Sequence, residues 1–287
     1  MTKIDDQNYL LNEQYRDSTN LDARVQLHRK FSTNKYGWNR WYFDQLDLPA
    51  DARVLELGCG PGYLWRDNLA RIPATWAITL SDFSAGMLDQ ARENLQPAQS
   101  GHLHPLRGRS AVLPNPRPDA QPFRFEIIDA QSIPFDAATF DAVIANHMLY
   151  HVPDRAKALS EFRRVLKPSG AAYIATNGDR HLLELPELSR RFDPNINYGF
   201  GKRAHEMFSI DNGGPEVREW YSIVEVRRYE DALIVTEAEP LAAYILSMVD
   251  AGVAARRAEL VAFIDHELQL HGAIHIAKES GLFIARP

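Results

Sequence analysis

The run Arg53-Val-Leu-Glu-Leu-Gly-Cys-Gly-Pro-Gly-Tyr63 constrains this chain more than any other stretch, because an apolar segment leads straight into three glycines at alternate positions. Val54 to Leu57 reads as a buried strand, and Gly58, Gly60 and Gly62 as the turn that follows it. Glycines at this spacing let the backbone bend sharply and bring bare N–H groups against a ligand. A nucleotide-like ligand on the end of the first strand is therefore expected. A dinucleotide fingerprint needs a glycine at the sixth position from Gly58, and Tyr63 stands there. A phosphate-cradling loop needs Gly-Lys-Ser/Thr, and none follows Gly62.

The segments downstream repeat the strand-then-helix pattern. Trp76 to Asp82 is a second apolar strand ending in a carboxylate, and Ser84 opens a helix with Met87, Leu88, Ala91 and Leu95 on one face. An aspartate at a strand's carboxyl end accepts from both hydroxyls of a ribose, at roughly 1.5–3 kcal/mol per charge-assisted bond. Asp82 is the expected ribose ligand. A third strand, Phe123 to Asp129, ends in another carboxylate, and a fourth, from Phe140, leaves Asn146 and His147 at its end. A helix carrying Ala156, Leu159, Phe162, Val165 and Leu166 stops at Lys167-Pro-Ser-Gly170, and Ala171 to Thr176 is the fifth strand. Open parallel sheets bind ligands at the carboxyl edge where the strand order reverses, so Asn146 and His147 should face that crevice.

Taken in order, Glu56-x-Gly58-x-Gly60-x-Gly62, Asp82 and the pair Asp129-Ala130 resemble the motifs of class I S-adenosylmethionine-dependent methyltransferases. The likeness runs from about Arg53 to Asn177, within the broad branch that includes quinone-biosynthesis and natural-product methyltransferases. It implies a Rossmann-like, doubly wound α/β sheet of seven strands, mostly parallel with an antiparallel last strand, plus helical cap segments. It also implies S-adenosyl-L-methionine as cofactor. Glu56, Gly58, Gly60 and Gly62 would receive its amino-acid end, Asp82 its ribose, and Asp129 with Ala130 its adenine, with Phe83, Met87 and Asn146 also at the cofactor site.

Around that core, residues 1–50 are expected to form an N-terminal helical lid, 51–178 the cofactor-binding core, and 179–287 cap insertions with the last two strands. In the first segment the tryptophans are expected to pack, with Tyr9 and Tyr15 nearer the pocket. Residues 97–122 read as a long Pro-rich connection. Leu182 to Phe192 and Pro240 to Leu270 read as helical, Trp220 to Tyr229 as the sixth strand, and Gly281 to Ala285 as the last.

Composition narrows the function classes. A net charge of −6 leaves no basic field for a nucleic-acid backbone. No apolar run approaches the ~20 residues needed to span a bilayer, so no membrane partner is expected and a cytoplasmic location is the simplest reading. The single cysteine, Cys59, excludes an internal disulfide and a cysteine-built zinc site, and no metal is expected. The remaining partner is a small-molecule substrate, with a homodimer left open.

Methyl transfer from a sulfonium is an in-line displacement, so alignment and exclusion of water are the main demands on the protein. If the acceptor is a hydroxyl or an acidic carbon, a base helps; His147 is the first candidate, His151 the reserve, and Tyr15 could orient the acceptor instead. An amine acceptor would need no base. The expected function is methylation of a small, apolar or aromatic metabolite in natural-product biosynthesis. Two alternatives stand beside it: methylation of a peptide or protein side chain, and a silent subunit that binds cofactor without turnover.

Overall fold

A computed structural model describes residues 6–14, 16, 19–96, 123–199, 207–249 and 251–287. Seven strands form one sheet: β1 (Arg53–Leu57), β2 (Ala77–Asp82), β3 (Phe123–Ile127), β4 (Phe140–Asn146), β5 (Leu166–Asn177), β6 (Ile223–Val235) and β7 (Ile274–Arg286). Their order is β3-β2-β1-β4-β5-β7-β6. β1 pairs in parallel with β2 and β4, and β7 runs antiparallel to both of its neighbours. The order reverses between β1 and β4, which opens the ligand crevice above their carboxyl ends.

Both faces of the central strands are covered, as a parallel sheet requires. Side chains alternate across a strand, so neighbouring residues of β1 serve different cores. Leu55 and Leu57 join Val143, Ala145 and the helix Arg155–Val165 on one face. Val54 joins Ile78, Leu80, Ile144 and the helix Ala85–Leu95 on the other. Each helix starts where a side chain satisfies an orphan N–H: Ser84 Oγ accepts from Met87 N, and Asp154 Oδ1 accepts from Lys157 N.

A third core stands apart from the sheet. Leu27 and Phe31 of the helix Thr19–Phe31 pack with Leu185 and Leu188 of the helix Glu184–Phe192. Leu241 and Ile245 of Ala238–Leu246 join them, with Leu260 and Ile264 of Arg257–His271, Leu233 of β6 and Ile276 of β7. A fully buried leucine is worth about 1.5–3 kcal/mol, so this cluster holds its helices to the ends of β6 and β7.

Several boundaries differ from those read in the sequence. The helix before β5 ends at Val165, and Leu166 to Gly170 already belong to the strand, with a register irregularity between Phe140 and Ala142 of β4. β6 and β7 are longer than the segments Trp220 to Tyr229 and Gly281 to Ala285. Their outer halves carry Asp231 and Lys278, polar residues that break an apolar alternation yet sit directly opposite each other in the ladder. Gly272, at φ +75°, ends the last helix, which leaves His271 on the helix and His275 on β7. Residues 97–122 lie outside the described residues.

The helix Trp38–Asp44 is built into the sheet's second face rather than standing over it. Tyr42 is fully buried there and its hydroxyl donates to the Tyr173 carbonyl at 2.8 Å.

Candidate active site

The carboxyl ends of β1, β2, β3 and β4 open into a cavity of about 1000 Å³. Gly58, Gly60 and Gly62 all hold positive φ, at +66°, +53° and +72°, a region costly to any residue with a Cβ. At Gly58 a Cβ would stand 2.7 Å from Met148 Cβ, so the loop after β4 presses on the turn. Among the described residues a Cβ at Gly60 would meet only Leu21 Cδ2 within 4 Å, at 3.8 Å, so the middle of the turn leaves room on its cavity side.

Three N–H groups of the turn are already paired, which narrows the expectation of bare N–H groups drawn from glycine spacing. Cys59 N donates to Ser81 O at 2.8 Å, Gly62 N to Cys59 O at 3.0 Å, and Gly60 N to Asp82 Oδ2 at 2.9 Å. These bonds fix the turn's shape, and what the turn offers a ligand is space.

Asp82 is braced from two sides, with Oδ1 accepting from Ser84 N at 2.8 Å. A carboxylate has about four lone-pair sites, so acceptor capacity remains toward the cavity that Asp82 lines. Burial pushes its pKa up against the pull of those N–H bonds. Glu56 lies behind the turn, 1% exposed, and accepts from Trp65 Nε1 at 2.5 Å. Burial raises its pKa to about 8, the Trp65 bond opposes the rise, and the Asp82 charge adds to it.

Phe83, Met87, Asp129, Ala130 and Asn146 line the same cavity as Glu56, Asp82 and the three-glycine turn except Gly62, which faces the helix Ala85–Leu95. Asp129 Oδ1 also accepts from Gln131 N at 2.9 Å, which shapes the turn after β3. Room beside Gly60, open acceptor sites on Asp82 and a carboxylate after β3 suit a nucleoside joined to an amino acid.

His147 follows β4 at φ +57°, unusual for a residue with a side chain. Its ring centroid lies 5.0 Å from that of Trp38, whose Nε1 donates to Asn146 Oδ1 at 3.2 Å. Burial, followed by the charge of Lys278, lowers the His147 pKa to about 4, so its imidazole is neutral at physiological pH. His151 also lines the cavity, in the single turn Leu149–His151. Tyr15 lies outside the described residues.

The placing of the aromatic residues differs in part from the sequence reading. Trp38 and Trp41 pack against the second core as expected, but Trp38 also lines the cavity, whereas Tyr9 packs against the first core. The sequence reading also missed the far wall. His28, His181, Tyr198, Tyr229, Tyr244 and Lys278 come from six separate parts of the chain. The one local signal was Gly37, at φ +89°, which turns the chain into the helix that Trp38 begins. Among the described residues, no three His, Cys, Asp or Glu side chains gather as a metal site, and no helix is long and apolar enough to cross a membrane.

Residues 55–174 match the family model described as a methyltransferase domain. The demethylmenaquinone methyltransferase of Lactiplantibacillus plantarum is 33% identical over 132 residues, 46% of this chain and 47% of that protein. The methyltransferase GfsG of Streptomyces halstedii is 29% identical over 133 residues, 46% of this chain and 40% of that protein. The chain thus spans about half the length of the curated relatives it matches, or less. Among solved structures, a Haemonchus contortus N-methyltransferase in complex with phosphomonomethylethanolamine and S-adenosylhomocysteine shares the fold. Its TM-score is 0.56 at 17% identity, covering 100% of this chain and 61% of that one.

Proposed function

Starting from the class I S-adenosylmethionine-dependent methyltransferase domain that the chain carries over residues 55–174, we propose that it methylates a small metabolite held in the far part of the cavity. The observation that supports this reading is continuity. The crevice lined by Gly60, Asp82 and Asp129 and the chamber lined by Trp38, Tyr229 and Tyr244 are one space of about 1000 Å³. That volume suits a nucleoside cofactor together with a compact apolar or aromatic acceptor, and walls from both the sheet and the third core favour a small molecule over a peptide strand. Natural-product biosynthesis in the cytoplasm is the setting proposed.

In this reading Asp82 takes the ribose hydroxyls, Asp129 and Ala130 the adenine edge, and the Glu56-to-Gly60 stretch the amino-acid end. Residues 51–178 form the cofactor-binding core, 1–50 a helical lid, and 179–287 the cap insertions with the last two strands that complete the core. The cofactor brings an electrophilic methyl on a sulfonium. The protein's part is to align the acceptor, exclude water and present electron-rich groups, here the rings of Trp38 and Tyr229 and the Asn146 carbonyl. His147 is the proposed contact to the acceptor. Its low pKa makes it a weak base, suited to orienting a nucleophile or to taking a proton from an already acidic one. His151 is held in reserve for the same task.

Calorimetric titration with S-adenosylmethionine, S-adenosylhomocysteine and NAD tests the reading. Micromolar binding of the two sulfur compounds and none of NAD is expected, followed by transfer of labelled methyl to acceptors from a metabolite panel. Failure of both sulfur compounds to bind would overturn it.

A further inference from the structure

Charge is unevenly distributed along the cavity. The carboxylates among its described lining residues are Glu56, Asp67, Asp82 and Asp129, and all four belong to β1–β3 and the loops that follow them. Arg40 and Arg66 also line the cavity, Arg66 pairing with Asp67, but the wall built by the helix Thr19–Phe31, β6 and β7 has cations and, among the described residues, no lining carboxylate: Arg24, Arg29 and Lys278, with His28 beside them. Burial is the main cause that holds His28 well below its ordinary pKa, and the charges that add to it are Lys278, His181, His147 and Arg24.

Lys278 is anchored from behind. Its ammonium donates to Asp231 Oδ2 at 2.5 Å and to Ser32 Oγ at 3.2 Å. The Asp231 side chain is fully enclosed, and it also accepts from Ser32 Oγ at 2.8 Å, Asn34 N at 2.9 Å and Ala232 N at 2.9 Å. Although burial works against it, Lys278 and the Asn34 N–H hold the Asp231 carboxyl below its usual range. The pair is therefore an oriented dipole, with its negative end enclosed by donors and its positive end on the cavity wall. An ammonium has three N–H donors, and Lys278 uses two on these partners. It also stands 5.6 Å from the centre of the Tyr229 ring, which borders the same chamber.

We infer that the acceptor is an organic acid whose oxyanion, a carboxylate or an ionised phenol or enol, seats against Lys278 with Arg24 as a second cation of the wall. The inference rests on the proposed methyl-transfer reading for the identity of the molecule as an acceptor, but not for the binding itself. Asp231 is a positioning residue, since it reaches the ligand only through Lys278.

The test uses 1-naphthoate, its neutral isostere 1-naphthamide, and 1-naphthol, titrated into the full chain with and without S-adenosylhomocysteine. Naphthoate is expected to bind at least tenfold tighter than naphthamide, or naphthol to show the absorption of its anion on binding; the first result points to a carboxylate, the second to a phenol or enol. Equal affinity for naphthoate and naphthamide, or no binding of either, together with a neutral naphthol spectrum, would overturn the inference. Removing Lys278 alone would strand a buried carboxylate, so the variant is Lys278→Met with Asp231→Asn. It should lose the preference for the anion and keep its affinity for S-adenosylhomocysteine, and a preference that survives would remove Lys278 from the assignment. Should that variant not fold, Arg24→Gln is expected to reduce the preference, and the naphthoate-to-naphthamide ratio of the unaltered chain decides the matter alone. Loss of S-adenosylhomocysteine binding in the unaltered chain would fail the methyltransferase reading and leave the anion result to stand by itself.

Discussion

The two halves of the cavity are built on opposite principles. The half at the ends of β1–β4 is made of short contiguous motifs, carries carboxylates, and shapes its space with backbone, as at Gly58 and Gly60. The far half is assembled from separated side chains, carries cations and neutral rings, and rests on an apolar core of its own. A site in which one substrate is common to a family and the other is particular to each member gains from this division, because the common seat is fixed by backbone while the variable wall can change residue by residue.

The largest expected effect concerns Glu56. Its folded-state pKa, about 8, lies above the ordinary carboxylate value of 4.5, so the proton stabilises the folded chain. That stabilisation is complete below about pH 4.5 and is lost as pH rises through 8, at ~1.4 kcal/mol per pH unit, or on the order of 4 kcal/mol between pH 5 and 8. Thermal melts of the ligand-free protein should show the decline, and Glu56→Gln should flatten it; a slope that persists in the variant would mean the burial penalty lies elsewhere.

Next in size, Gly58→Ala combines a positive-φ cost with a 2.7 Å approach to Met148, for a loss of about 3 kcal/mol in chemical denaturation. Gly60→Ala has the first cost without the second and should lose less stability. Reversal of that order would break the claim that Gly60 faces open space.

Asp82→Ala should weaken S-adenosylhomocysteine binding about a hundredfold by titration, if two charge-assisted bonds to ribose are lost. The change also removes the brace on Gly60 N, so Asp82→Asn, which can keep one acceptor, should fall between. Unchanged affinity would sink the ribose assignment. The smallest effect belongs to Trp38→Phe, which removes the bond to Asn146 and should cost about 1 kcal/mol, near fivefold in turnover, with cofactor affinity retained. An equal loss in both would show that the two halves are not separable at that point.

The same division explains what could be read from sequence. Strand-to-helix alternation was legible because runs such as Val54 to Leu57 and Ala142 to Ala145 are buried on both faces and stand out locally, while the family and the count of seven strands came with the likeness carried by Gly58, Gly60, Gly62, Asp82 and Asp129. Asp82 and Asp129 were visible because each ends such a run. Lys278 was not, since its meaning depends on Asp231, 47 positions away and opposite it across the β6–β7 ladder. His147 could be placed at the end of β4, but its low pKa comes from enclosure and from Lys278, neither of which is local in sequence.

The third core carries a consequence for how such a chain can diverge. Leu27, Phe31, Leu185, Leu241, Leu260 and Ile276 all lie outside residues 55–174, so none of them belongs to the portion that matches the family model. Mutational drift there can retailor the chamber's outline while the β1–β4 half of the cavity, the proposed cofactor seat, is left unaltered. Laboratory libraries aimed at new acceptors are therefore best spread over this hidden scaffold as well as over the residues that touch the ligand.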